Sequence, residues 1–136
     1  MDSHYSLSDR EFEIQFKNTS LDPKLFTHEA HLRLAWIHVS RYGVAQAAEN
    51  ISHQIARFDR KFGDGTKFHK TVTIAAVKAV AHFIDRSGSG NFKDFIQEFP
   101  RLKSNFMDLL SQHYSFNVFA DEKARHTFVE PDLLPF

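Results

Sequence analysis

Three histidines stand where two helices can bring them together. One segment reads Phe26-Thr27-His28-Glu29-Ala30-His31-Leu32 and another Phe68-His69-Lys70-Thr71-Val72-Thr73. Each opens an apolar-periodic stretch and puts histidine in the first turn of the helix predicted there. Imidazole ligates transition metals and moves protons near neutral pH. Three converging imidazoles at His28, His31 and His69 point to a divalent transition metal: zinc, iron, copper or nickel. Such a set leaves a position open for water or a small ligand, as in a small metalloenzyme. The pair His28-x-x-His31 is not the His-Glu-x-x-His arrangement of metalloproteases, because its spacing is three rather than four. Glu29 lies about 100° from each neighbour on a helix and sits off the face of the pair. Asp59, near the end of the next helix, offers an oxygen ligand at the same end of a bundle. His38 continues the stripe, and Thr71, Thr73 and Arg125 are further polar positions around it.

The same geometry supports a different chemistry. Two helix N-termini facing a dication cost about 0.3–1 kcal/mol each, little beside the roughly 10–16 kcal/mol of a structural zinc. Those ends also favour a carboxylate or phosphate, with threonines nearby and histidine as an acid–base group. The alternative is therefore a non-metal binding module for a small anionic or aromatic ligand. In a third reading the protein serves interactions, and its histidines merely pack or cap. In either ligand reading His69 faces inward, and its loss leaves the ligand-free fold largely intact. His4, His53, His82, His113 and His126 read as ordinary core or surface residues.

The elements that position these residues follow from caps and periodicity. Ser8-Asp9-Arg10-Glu11 is a capping box ahead of Phe12, Ile14 and Phe16, although that run also alternates as a strand would. Residues 18–24 read as a loop. Thr27 caps a helix over 28–42 that Gly43 stops. A second helix runs over 44–62, with Ala47, Ile51, Ile55 and Phe58 three and four apart. A third begins at Thr66 or Lys67 and runs to Arg86. Residues 87–90 form a flexible loop. Asn91 caps a short helix stopped by Pro100, another helix covers 103–114, and a last one lies around 120–128. Residues 129–136, with two prolines, predict an extended tail packed on the bundle. The fold is all-α: one domain over 1–136, a bundle of about three long and two to three short helices. Short loops at Gly43 and Gly63 to Gly65 make the long helices run up, down and up. The first and third therefore begin at the same end.

Composition narrows the function classes. The chain has 136 residues with 17 basic and 17 acidic side chains, and its isoelectric point is near 7.1. No strong field is present to steer nucleic acid; Arg57, Arg60, Lys61, Lys67 and Lys70 make only a modest basic cluster. Cysteine is absent, which removes disulfides, thiolate metal sites and cysteine nucleophiles and suits the cytoplasm. Residues 1–6 carry no secretory pattern, and the longest apolar stretch, 73–84, is too short to span a bilayer. The expected partner is a small molecule, with neither nucleic acid nor membrane. Fifteen phenylalanines predict a thick aromatic core.

The motifs also resemble those of an uncharacterised family of small bacterial helical proteins. Phe26-Thr27-His28-x-x-His31-Leu32-x-x-Ala35-Trp36 is similar to its opening signature. Phe68-His69-x-Thr71-x-Thr73 stands where the family has Tyr-His-Glu-Thr, and Ala124-Arg125-x-x-Phe128-Val129-x-Pro131-Asp132-Leu133 resembles its ending. The likeness covers the chain from Phe26 onward, with three motifs in order. It implies a shared site and names no reaction. Lys70 replaces the usual glutamate, and the final prolines differ. A catalytic role for that glutamate in relatives would mean lost or altered activity here. Arg125 has two expected roles: pinning the tail through Asp132 or Glu130, or reaching an anion in the histidine pocket.

Overall fold

The computed structural model describes residues 3–136. Among them are eight α-helices and no strand: α1 (Asp9–Lys17), α2 (His28–Tyr42), α3 (Val44–Phe62), α4 (Lys70–Ile84), α5 (Phe92–Glu98), α6 (Arg101–Ser104), α7 (Phe106–Ser111) and α8 (Glu122–His126). None is long and apolar enough to cross a membrane.

The alternating run at the start resolves as helix. Ser8 Oγ accepts the Glu11 amide at 3.1 Å and Glu11 Oε1 accepts the Ser8 amide at 2.9 Å. This closes the capping box, so two of the orphan donors of the first turn are satisfied. Phe12 and Phe16, four apart, are both fully buried, whereas Ile14 between them is 44 % exposed. A strand would have placed all three on one face.

Helices α2, α3 and α4 pack on one another and form the centre of the bundle. Their boundaries follow local chemistry. Thr27 Oγ1 accepts the Ala30 amide at 3.2 Å. Gly43 adopts φ +83°, a conformation that costs glycine nothing and turns α2 directly into α3. Gly63 ends α3 for a different reason: a Cβ there would lie 2.7 Å from Asp59 Oδ1. The core fills with Leu32, Leu34, Ile37, Ile51 and Val77 from these three helices, and with Phe12, Phe16, Phe95 and Leu102 from the others.

Two helix boundaries differ from those the sequence suggests. Helix α4 starts at Lys70, not at Thr66 or Lys67, because His69 is its cap; Thr66 instead bonds Asp64 Oδ1 through its amide at 2.9 Å. The stretch over 103–114 is broken at Asn105 (φ −132°, ψ +36°) into α6 and α7. In an unbroken helix the Leu102 carbonyl would accept the Phe106 amide. Here it takes the His28 Nε2–H at 3.0 Å.

The loop over 87–90 is tied down, since the Ser87 and Ser89 hydroxyls donate to Glu98 Oε1 at 2.6 and 2.9 Å. The tail packs without helix, as its prolines suggest. Thr71 Oγ1 donates to the Thr127 carbonyl at 2.8 Å and accepts the Val129 amide at 3.0 Å. The Tyr114 hydroxyl donates to the Val129 carbonyl at 2.7 Å, and Phe136 stacks on His113 at 4.2 Å between ring centroids.

Candidate functional site

The end of the bundle where α2 and α4 begin and α3 finishes frames an open cavity of about 400 Å³. That is within the size range of small-molecule pockets. Its apolar wall is aromatic, with Phe26, Phe58, Phe62 and Phe68 lining it. Three of these rings form a continuous set: Phe26 to Phe58 is 5.4 Å between centroids, Phe58 to Phe62 is 4.7 Å, and Phe16 backs Phe58 at 4.7 Å. Among the lining polar groups are His31, Asp59, Lys67, His69 and Thr73.

His31 is the unusual member. Its ring sits 5.9 Å from that of Phe26. Its Nε2 is buried with no hydrogen-bond partner. Burial, with a smaller push from His28, drives its pKa down to about 4, so the imidazole is neutral at physiological pH. A buried polar atom left unpaired costs about 1–3 kcal/mol, and such atoms are rare enough to ask what would satisfy them.

His69 lines the same cavity but is fully engaged. Its Nδ1 accepts the Val72 amide at 3.2 Å, capping α4, and its Nε2–H donates to the Val118 carbonyl at 2.8 Å. Both ring nitrogens are used, and the tautomer is set by the two bonds. Burial holds its pKa below the ordinary value, working against the Val118 bond. The expectation that His69 is dispensable to the ligand-free fold is therefore corrected. We expect His69→Ala to lower apo stability by about 1–2 kcal/mol through the lost cap, and His69→Asn to recover part of it. Urea melts of the two variants measure this; an unchanged midpoint in the alanine variant would show that the cap is idle.

His28 does not join them. Positions three apart on a helix differ by about 60° around its axis, which turns His28 toward α6 and α7 while His31 faces α3 and α4. Its ring lies 5.1 Å from Phe106, and it lines a separate hollow with Lys103 and Phe119. Helix order thus brings His31, His69 and Asp59 to one cavity and leaves His28 beside it. Among the described residues no group of three or more His, Asp or Glu is placed to hold a metal ion.

Asp59 has a structural task within the cavity wall. Its Oδ2 accepts the backbone amides of Lys67 and Phe68 at 2.8 and 2.9 Å. Consecutive amides of this kind are what a bound anion would use, and here a carboxylate of the chain already takes them. The two helix N-termini are likewise capped, by Thr27 and by His69.

The remaining candidates lie elsewhere. Thr71 holds the tail. Thr73 is buried and lines the cavity. Glu29 turns outward, its Oε1 accepting from His4 at 2.8 Å and its Oε2 lying 3.1 Å from Lys103 Nζ. His38 is buried further along α2, its ring 5.3 Å from that of Tyr42. Arg125 contacts neither tail carboxylate; it donates to the Thr66 carbonyl in the loop that leads to His69. Asp132 holds the Ser115 amide instead, at 2.9 Å.

One buried polar cluster has no counterpart in the motif reading. His4, 2 % exposed, donates from Nε2 to Glu29. Arg33, 5 % exposed, donates to Asp9 Oδ1 from Nε and Nη2 at 3.1 and 2.8 Å and to the carbonyls of His4 and Leu7. Its guanidinium carbon also lies 5.0 Å from the centroid of the Phe12 ring. Burial lowers the His4 pKa while the Glu29 bond opposes that shift. These residues are 24 to 29 positions apart, too far for any local pattern to reveal them.

No protein-family model, no curated protein and no solved structure matches the chain.

Proposed function

We propose that this protein is a binding module that takes a small aromatic molecule into the cavity between α2, α3 and α4. One observation carries the reading: a phenylalanine-lined cavity of about 400 Å³ whose wall includes His31, with a buried, unpartnered ring nitrogen. Burial of a planar ring against phenylalanine faces supplies the affinity, at about 25 cal/mol per Å² of apolar surface plus the offset or edge contacts that aromatic pairs favour. An aromatic ligand fits better than an anionic one, because Asp59 already occupies the nearest pair of backbone amides and His31 is neutral. The cysteine-free composition suits a cytoplasmic setting. The resemblance to the small bacterial helical family implies that its members share the pocket.

Amide spectra recorded during titration with indole test the proposal. Shifts concentrated at Phe58, Phe68, Val72 and Thr73 are expected. Shifts scattered over the surface, or none at millimolar indole, would sink it.

A second reading, a transition metal at His28, His31 and His69, draws on the same free nitrogen of His31. It requires His28 and His69 to release their bonds to Leu102, Val118 and Val72. Zinc added to untagged protein separates the two. A rise in melting temperature that disappears in His31→Ala and in chelator supports metal; indole binding that persists in chelator supports the aromatic ligand.

A further inference from the structure

We infer that the cavity takes aromatic amines in their ammonium form, with the ring on the phenylalanine wall and the ammonium on Asp59 Oδ1. This rests on the reading of the cavity as an aromatic-ligand site and goes beyond it by naming the charge the ligand carries. Ile55, Phe58, Asp59 and Phe62 all line the cavity. They stand at i, i+3, i+4 and i+7 along α3, which puts them on one face of that helix. A carboxylate set in an apolar stripe costs free energy unless its oxygens are bonded. Asp59 Oδ2 is bonded, to the amides of Lys67 and Phe68. Its Oδ1 accepts no hydrogen bond from any described residue and, unlike His31 Nε2, it is not buried. Oδ1 lies against Gly63, where a Cβ would come within 2.7 Å of it, so the missing side chain leaves it uncovered there. Gly63, Lys67 and Phe68 line the cavity as well; both oxygens of Asp59 therefore sit within its wall. Holding the loop takes one accepting oxygen. The second oxygen and the negative charge are left for a ligand.

An ionised carboxylate can only accept, so the matching group is a donor, and a cationic donor makes the stronger bond. The phenylalanine faces favour the same charge, because a cation within about 6 Å of a ring centroid is drawn to the ring's negative face. Phe62 already takes one cation in this way: Lys61 Nζ lies 5.2 Å from its centroid and is held there by the Thr19 carbonyl at 3.0 Å. Asp59 and Phe62 are three apart on α3, with Cβ atoms about 5–6 Å apart. A short link between ring and nitrogen matches that spacing. The opposing charge on the wall is Lys67, whose side chain is exposed and screened by water and salt. Direct contact with the half-buried Asp59 outweighs it. His31 and His69 add no charge near neutral pH, since burial holds both below their ordinary values. Arg125, near His69, is offset by Glu122, whose Oε2 lies 3.8 Å from its Nε.

The test uses the intact chain at neutral pH with benzylamine, benzyl alcohol and benzoate as probes, and measures dissociation constants by amide shifts. The probes share a ring and differ in charge. Benzylamine, protonated at this pH, is expected to bind about tenfold tighter than benzyl alcohol, with benzoate weakest. It should also move the side-chain carboxyl carbon resonance of Asp59 in the wild-type protein, a readout that needs no variant. In Asp59→Asn an amide oxygen still takes the two loop amides, but the charge is gone. The ratio between benzylamine and benzyl alcohol should then fall to about one. Equal binding of the two by the wild type, an Asp59 carboxyl resonance that stays put, or a ratio that persists in Asp59→Asn overturns the charge preference and leaves the aromatic cavity standing. Failure of all three probes overturns the cavity reading itself.

Discussion

Arg33→Ala is expected to destabilise the protein by about 2–4 kcal/mol, because two carbonyls lose their donor at about 1–3 kcal/mol each and the packing of the arginine stem is lost. Arg33 reaches Asp9 and the carbonyls of His4 and Leu7 from a position that is 5 % exposed. Removing it strands those carbonyls and opens a gap beside Phe12. The cost is asymmetric. Asp9→Asn keeps an acceptor for Arg33 at a half-exposed position and leaves both carbonyl bonds in place, so it should cost far less, about 1 kcal/mol. The cluster holds the segment before α1 against α2, so the alanine variant should also lose amide protection at Leu7 and at α1 before the rest of the chain opens. Urea melts with hydrogen exchange measure both effects. Equal losses in Arg33→Ala and Asp9→Asn would show that the charge pair with Asp9, not the arginine's packing and carbonyl bonds, carries the cost.

The second large effect is on stability against acid. His31 has an ordinary pKa of 6.5 and is pushed to about 4 in the fold, so folding requires the neutral form. Its contribution is fully present above pH 6.5, declines as pH falls through the interval, and is lost by about pH 4. Each pH unit across that interval is worth about 1.4 kcal/mol, so the loss is at most about 3.5 kcal/mol. His4, His38 and His69 are also held below their ordinary values by burial, and they steepen the same decline. The carboxylates with lowered pKa values, Glu29 among them, contribute only below their ordinary value of 4.5. Stability lost between pH 6.5 and 4.5 therefore belongs to the histidines. His31→Phe should flatten that part of the profile. A wild-type melting midpoint that is level from about pH 7 to about pH 5 would contradict this account.

Much of the fold was legible because local rules set it. Thr27, Gly43 and Gly63 bracket α2 and α3 by cap chemistry and backbone conformation, and the three-and-four spacing of Ala47, Ile51, Ile55 and Phe58 gives the buried face of α3. Helix order alone brings the starts of α2 and α4 to one end, which is why His31, His69 and Asp59 meet. The start of α4, capped by the neighbouring His69, is a local miss; the others are long-range. The break at Asn105 depends on His28 taking the Leu102 carbonyl, 74 residues away. The saturation of His69 depends on Val118, and the placement of Arg125 depends on Thr66. Residue type showed that imidazoles gather near this end; only the fold shows which nitrogens are spoken for, and that His31 keeps one free.

The lining of the cavity runs from Pro23 to Thr73, one unbroken stretch of the chain that includes α2 and α3 and opens α4. Contacts between neighbours in sequence form fast, since little loop entropy is lost in making them. The pocket wall is thus drawn from one locally connected part of the bundle, while Val118, ahead of α8, and Arg125, within it, brace its rim from far along the chain. Transient opening should release this distant fringe first, as a separate cooperative unit. The mouth of the pocket is open beside the exposed Phe62 and Lys67, so release of that fringe leaves the aromatic walls assembled.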